Sequence, residues 1–228
     1  AEYEKLAHAL SAPGACALFG LPGSGRAMVY AALAKETGRF LCIVTPGEAE
    51  ATRFAGDLNA LGIPTAVFPA RDYVLRPIEG TAREYEYRRL SVLGDIVGGR
   101  LQAVCVPDEG LTQYTTPRAE FCNNTRTLHP GDTVPRTELT ALLYNAGYAR
   151  RAQVDGPGQF SIRGDIVDLY APDMKLPVRM EFWGDEIDTM HTFDLATQRR
   201  EDPIEKIYVS PAREVLFGSP AEAAELLR

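Results

Sequence analysis

The chain has 228 residues, 45% hydrophobic and 24% charged, enough for one large or two small domains with proper cores. Lys and Arg number 24 against 31 Asp and Glu, and the net charge of −7 argues against DNA binding by this piece alone, because gripping phosphates needs a basic face. No run reaches the ~18 apolar residues of a membrane span and the N-terminus is not a secretory signal, so a cytoplasmic protein with no membrane partner is expected.

In chain order, Tyr3, Leu6, Ala7 and Leu10 recur at helical spacing, predicting a short amphipathic helix over 2–11. The apolar run ACALF (15–19) predicts a strand, followed at once by the glycine-rich GLPGSGRA (20–27). A helix over 27–37 comes next, with Gly38 as its cap. FLCIVT (40–45) predicts a second strand, 49–61 a helix, 65–68 a third strand, 82–97 a helix and LQAVCV (101–106) a fourth strand. Glu84 and Arg88 stand at the i,i+4 spacing of an exposed helix face. Strands alternating with helices predict an α/β domain over 1–122, its parallel sheet covered on both faces.

The glycine loop is the first candidate site. The phosphate-loop pattern G-x-x-x-x-G-K-[ST] supplies backbone N–H groups, a Lys for the terminal phosphates and a hydroxyl for Mg²⁺. Gly20, Gly23 and Gly25 keep the frame, but Arg26 stands in the Lys position and Ala27 in the hydroxyl position. No acidic strand end of Walker-B type stands out in 1–122. The loop therefore reads as degenerate, with a structural role or residual anion affinity in place of ATP hydrolysis. Cys16, Cys42, Cys105 and Cys122 form no C-x-x-C pair and read as reduced core residues. His8, His129 and His191 are scattered without ligand spacing, so neither metal nor cofactor is expected. A chain that opens on Ala1 reads as a piece of a longer protein.

The composition changes near residue 122. Residues 123–135 are polar with two prolines, a boundary, and 136–147 predict a helix with Leu139, Leu142 and Leu143 inward. Short alternating strands follow at 159–170, 177–183 and 187–193, predicting an α+β domain over 123–208. Alternation in PVRMEFW (177–183) sets Val178, Met180 and Phe182 on one face and Arg179, Glu181 and Trp183 on the other. In QFSIRGD (159–165), Phe160 and Ile162 point in while Ser161 and Arg163 point out. Two Arg and the single Trp on one exposed face have the composition of a protein–protein hot spot. The bland alternative is that each Arg pairs with a neighbouring acid and the Trp folds over the sheet edge.

GQFSIRGDIVDLYAP and LPVRMEFWGDEIDTMHTFDLATQRR closely resemble the N-terminal region of the bacterial transcription-repair coupling factor family. They match the module which that family shares with the excision-repair subunit UvrB. REYEYRRLSVL (83–93), NAGY (145–148) and VSPAREVLF (209–217) extend the resemblance over nearly the whole chain. It implies a P-loop-NTPase-like first domain with a degenerate phosphate loop, a UvrA-binding α+β domain, and a return strand with the start of a helical segment over 209–228. UvrA contact falls, by the resemblance, on Arg163, Arg179 and Trp183, although the family usually has Phe at the Trp183 position. PARDYVLRPIEGTAREYEYRRL (69–90) is too short for the aromatic hairpin with which UvrB grips damaged DNA. The implied function is non-catalytic recruitment of UvrA in transcription-coupled nucleotide excision repair. RNA polymerase, DNA and ATP-driven translocation belong to other parts of the family's proteins. A fragment of a UvrB-type ATP-dependent repair subunit is the alternative.

Overall fold

The computed structural model describes residues 2–10, 13–71 and 82–215. They divide into two compact units, Ala1–Arg71 with Gly98–Gln113, and Asp72–Val97 with Tyr114–Arg228.

The first unit begins with α1 (Glu2–Ala9) and α2 (Gly23–Thr37), followed by β1 (Leu41–Thr45), α3 (Glu48–Ala60) and β2 (Thr65–Val67). After α4 (Ala82–Val97), which belongs to the second unit, come β3 (Ala103–Pro107) and α5 (Asp108–Thr112). The strands form a parallel sheet with β3 in the centre and β1 and β2 beside it. Ala27, Ala31 and Ala34 of α2 meet Ala51, Phe54, Ala55 and Leu58 of α3, and Ala103 and Cys105 of β3 join the same core. Small side chains along α2 let the two helices approach closely. Gly38 ends α2 in the left-handed region, φ 62°, its N–H donating to the Ala34 carbonyl.

Several expectations are corrected in this unit. ACALF is not a strand: residues 13–20 are exposed, Phe19 by 90%, and pair with no strand among the described residues. A short apolar run has strand composition but carries no information about a ladder partner. Nor is β1 covered on both sides, since Cys42 and Val44 are exposed on the face away from α2 and α3.

The cysteines also differ. Only Cys105 is buried, while Cys16, Cys42 and Cys122 are exposed. Burial pushes the Cys105 thiol up to about 11, with Cys42 adding to the rise. Brief alkylation near pH 8 followed by peptide mapping should label Cys16 and Cys122 and spare Cys105, because the thiolate is the nucleophile. Labelling of Cys105 at the rate of Cys122 would contradict this packing.

The second unit adds α6 (Arg118–Asn123), β4 (Arg126–Leu128), α7 (Arg136–Asn145), β5 (Ala149–Arg150), β6 (Gln159–Arg163) and β7 (Ile166–Tyr170). It continues through β8 (Val178–Trp183), β9 (Glu186–Phe193), β10 (Arg200–Pro203) and β11 (Ile207–Val209). Six strands run in the order β10-β9-β8-β7-β6-β5, antiparallel except for the parallel β5–β6 pair. A separate ladder joins β11 to β4, so the polar stretch expected as a boundary contains a strand whose partner lies late in the chain. Leu139 and Leu143 of α7 pack with Phe160, Val167, Leu169, Val178, Met180 and Phe182 on one face of the large sheet. Tyr144 meets the Phe160 ring edge-on at 5.3 Å.

The helix α4 clusters with this unit rather than with the first domain, to which the sequence reading assigned it. Its Arg89 pairs with Glu214, and its Tyr87 lies against Gly158, where φ is +72° and a Cβ would come within 2.5 Å of the Tyr87 hydroxyl. The predicted helical start beyond β11 falls on residues 216–228, outside the described residues.

Candidate functional site

One face of the large sheet carries the hydrophobic core, and the other carries a row of polar residues. The register puts Ser161 opposite Asp168, Asp168 opposite Arg179, and Arg179 opposite His191, across four adjacent strands. Directly opposed residues share a face, so this row lies away from the core. Its centre is Asp168, whose side chain is 0% exposed.

Both arginines singled out in the sequence close on that carboxylate. Arg179 donates from Nε to Oδ1 at 2.7 Å and from Nη2 to Oδ2 at 2.9 Å, a bidentate fork. Arg163 donates from Nη2 to Oδ2 at 2.6 Å. They differ in exposure: 14% of the Arg179 side chain and 46% of the Arg163 side chain reach solvent. Arg179 is fixed further by the Gln198 carbonyl at 3.3 Å, and its guanidinium lies 4.7 Å from the centre of the buried Phe193 ring. The Asp168 hydrogen bonds hold the Arg179 guanidinium charged, against the opposing effect of burial. Gln198 is the sole non-glycine with positive φ among the described residues, 58°, in the turn that follows β9.

A second ion pair flanks the row. Arg200 of β10 contacts Glu181 of β8, and Thr189 donates to the same carboxylate at 3.3 Å. The hydrogen bond from Arg200 holds the Glu181 carboxyl below its ordinary value, against burial and with help from Thr189 and His191. The pair's contribution is therefore complete above the ordinary carboxylate range and fades as pH falls through the lowered value.

Trp183 is 84% exposed at the end of β8, beside the Gly184 turn into β9. It shares the outward face with Arg179 and Glu181 but stands four residues from Arg179, about 13 Å at ordinary strand rise. The two arginines are thus brought together, and the Trp marks the far side of the same face. The bland alternative holds for the arginines, which do pair with an acid, and fails for Trp183, which stays 84% exposed.

In the first unit the glycine loop is arranged differently. Gly20 has φ +79°, Gly23 and Gly25 occupy the first turn of α2, and Pro22 caps it without a side-chain hydrogen bond. Arg26 reaches Glu50 of α3 at 3.7 Å and lies 6.0 Å from the Phe54 ring. Ala27 is buried in the α2–α3 core, so the hydroxyl position of the motif serves packing. An acidic strand end does exist: Asp108 and Glu109 follow β3 directly, behind Pro107, which interrupts the apolar run in the sequence. Asp108 Oδ1 accepts from the Glu109 N–H at 2.8 Å.

The polar row and its tryptophan lie inside a UvrB interaction domain, the family that residues 127–215 match. The wider chain is similar to the transcription-repair-coupling factor of Mycobacterium bovis, 34% identical over 217 residues, covering 90% of this chain and 17% of that protein. The protein of the same name from Bacillus subtilis is 28% identical over 212 residues, 92% of this chain and 18% of that protein. Residues 127–215 thus match the UvrB interaction domain, the chain is similar to transcription-repair-coupling factors over about nine-tenths of its length, and it spans less than a fifth of the length of these relatives.

Proposed function

We propose that this chain is a non-catalytic docking module that recruits UvrA during transcription-coupled nucleotide excision repair, in the cytoplasm. One observation carries the reading. Within the UvrB interaction domain, Arg163 and Arg179 converge on one sheet face that also presents the exposed Trp183. Arginines and an exposed aromatic on one face are the groups that anchor protein interfaces. RNA polymerase, DNA and ATP-driven movement belong to parts of the longer protein outside these residues. Calorimetry or a pull-down with purified UvrA tests the reading, and a folded chain that leaves UvrA entirely in the unbound fraction would refute it.

The first unit is read as a P-loop-like domain that has lost its chemistry. Arg26 is drawn to Glu50 and Ala27 is buried, so neither a mobile ammonium nor a metal-binding hydroxyl stands at the loop. No Mg-ATP binding at sub-millimolar concentration and no turnover are expected. An ATPase rate above background that Gly25→Ala abolishes would contradict this. An anion held by backbone N–H groups would not.

A further inference from the structure

The two arginines do unequal work, and the residue that divides the labour is Asp168. Arg179 spends both arms of its fork on Asp168, is held from the other side by the Gln198 carbonyl, and packs on Phe193. Arg163 gives a single nitrogen, Nη2, to Asp168, and nearly half of its side chain faces solvent. A guanidinium carries five N–H donors in a planar fork, so Arg163 has donors left for a second acceptor once Asp168 has fixed its plane.

We propose that Asp168 is a positioning residue which uses Arg179 as its internal counter-charge and holds Arg163 ready for a carboxylate of UvrA, an inference that rests on the docking role proposed above. Three observations point the same way. Asp168 is completely buried, so its charge cannot itself meet a partner, and it acts only through the arginines that cover it. The turn supporting Arg179 stores strain in the sole non-glycine of positive φ among the described residues, Gln198, the kind of cost retained where geometry matters. Both buried side-chain polar atoms without a hydrogen-bond partner among the described residues, Ser161 Oγ and His191 Nδ1, belong to the two ends of this same row.

The physical role is preorganisation. A free arginine must be ordered when it binds, and one already held in plane by a buried carboxylate loses less freedom. The opposite arrangement is also conceivable in chemistry: Asp168 could compete with UvrA for Arg163, and its neutralisation would then strengthen binding. The sign of one measurement separates the two.

The test is a double-mutant cycle read by calorimetry with purified UvrA, on the 228-residue chain. Asp168→Asn keeps the shape and removes the charge. It should weaken UvrA binding about tenfold or more, the scale of a lost charge-assisted hydrogen bond. In an Arg163→Ala background the same substitution should have almost no further effect, because Asp168 acts through Arg163. A merely structural Asp168 would weaken binding equally in both backgrounds, and that outcome overturns the inference, as does unchanged or tighter binding by Asp168→Asn alone. Arg163→Lys guards against a misfolded Asp168 variant. The site is half-exposed, and a Lys keeps the charge but cannot hold Asp168 with one arm and a partner carboxylate with another. Binding like the parent's by Arg163→Lys would also overturn the inference. If the parent chain itself fails to bind UvrA, the docking role falls and this inference with it. A parent that binds while the variants show no coupling removes the inference alone.

Discussion

Trp183→Ala and Arg163→Ala should each weaken UvrA binding roughly 30- to 1000-fold while leaving the melting temperature almost unchanged. Truncating a central interface Trp or Arg costs ~2–4 kcal/mol, and each ~1.4 kcal/mol is tenfold in affinity. Trp183 is 84% exposed at a hairpin turn, so its removal takes little from the fold. Arg163 leaves Asp168 still bidentate to Arg179. Arg179→Ala is a different experiment, because it strips a fully buried carboxylate of its main partner. Loss of hydrogen bonds to a charged group, on the order of 1.5–3 kcal/mol, should appear as a lowered melting temperature alongside lost binding. The orientation of the outward face in the sequence suggests that all three variants would fold like the parent. The burial of Asp168 corrects that for Arg179. Calorimetry paired with thermal melts checks the set, and parental affinity in both Trp183→Ala and Arg163→Ala would remove this face from the docking role.

The sheet face was legible because strand alternation is a local rule. Val178, Met180 and Phe182 are buried, while Arg179 and Trp183 face outward, as their period of two requires. What joins the arginines was not legible. In IVDLY, Asp168 occupies an outward position, where a carboxylate ordinarily meets water. Its burial depends on Arg163 and Arg179 arriving from the strands on either side, a fact of register and not of composition. The available signal was weak: an acid at the outward position of a strand flanked by two Arg-bearing strands. Gln198 was invisible for the same reason, since its turn matters only through what it holds. In the first unit the strand expected before the glycine loop was not legible, because the fate of ACALF hung on a pairing partner that no five-residue run can specify.

The largest stability effect is expected outside the polar row, at Arg89. Its side chain and that of Glu214 are both 0% exposed, with Nη2 2.8 Å from Oε1 and Nε donating to both carboxylate oxygens at 2.9 Å. The Thr115 hydroxyl donates to Glu214 Oε1 at 3.1 Å, and Arg89 Nη2 donates to the Tyr114 carbonyl at 3.2 Å. The neighbouring backbone is held as well: Thr116 donates to the Glu214 carbonyl, and the Glu214 N–H donates to Glu86 Oε1 at 2.9 Å. This network ties α4 to the segment after β11, residues that are remote in sequence and that no local pattern connects. Removing one member of a buried pair leaves a charge in a dry site, at ~3–5 kcal/mol. Arg89→Met should therefore lower the melting temperature by roughly 6–20 °C, at ~2–4 °C per kcal/mol for a chain of this size. Glu214→Leu should do much the same. The double variant Arg89→Met/Glu214→Leu should recover most of the loss, since two matched apolar side chains often replace a buried ion pair at little cost. Differential scanning calorimetry on the four proteins separates the cases. Single variants that melt with the parent would mean the pair is dispensable, and a double variant no better than the singles would place its value in shape and not in charge.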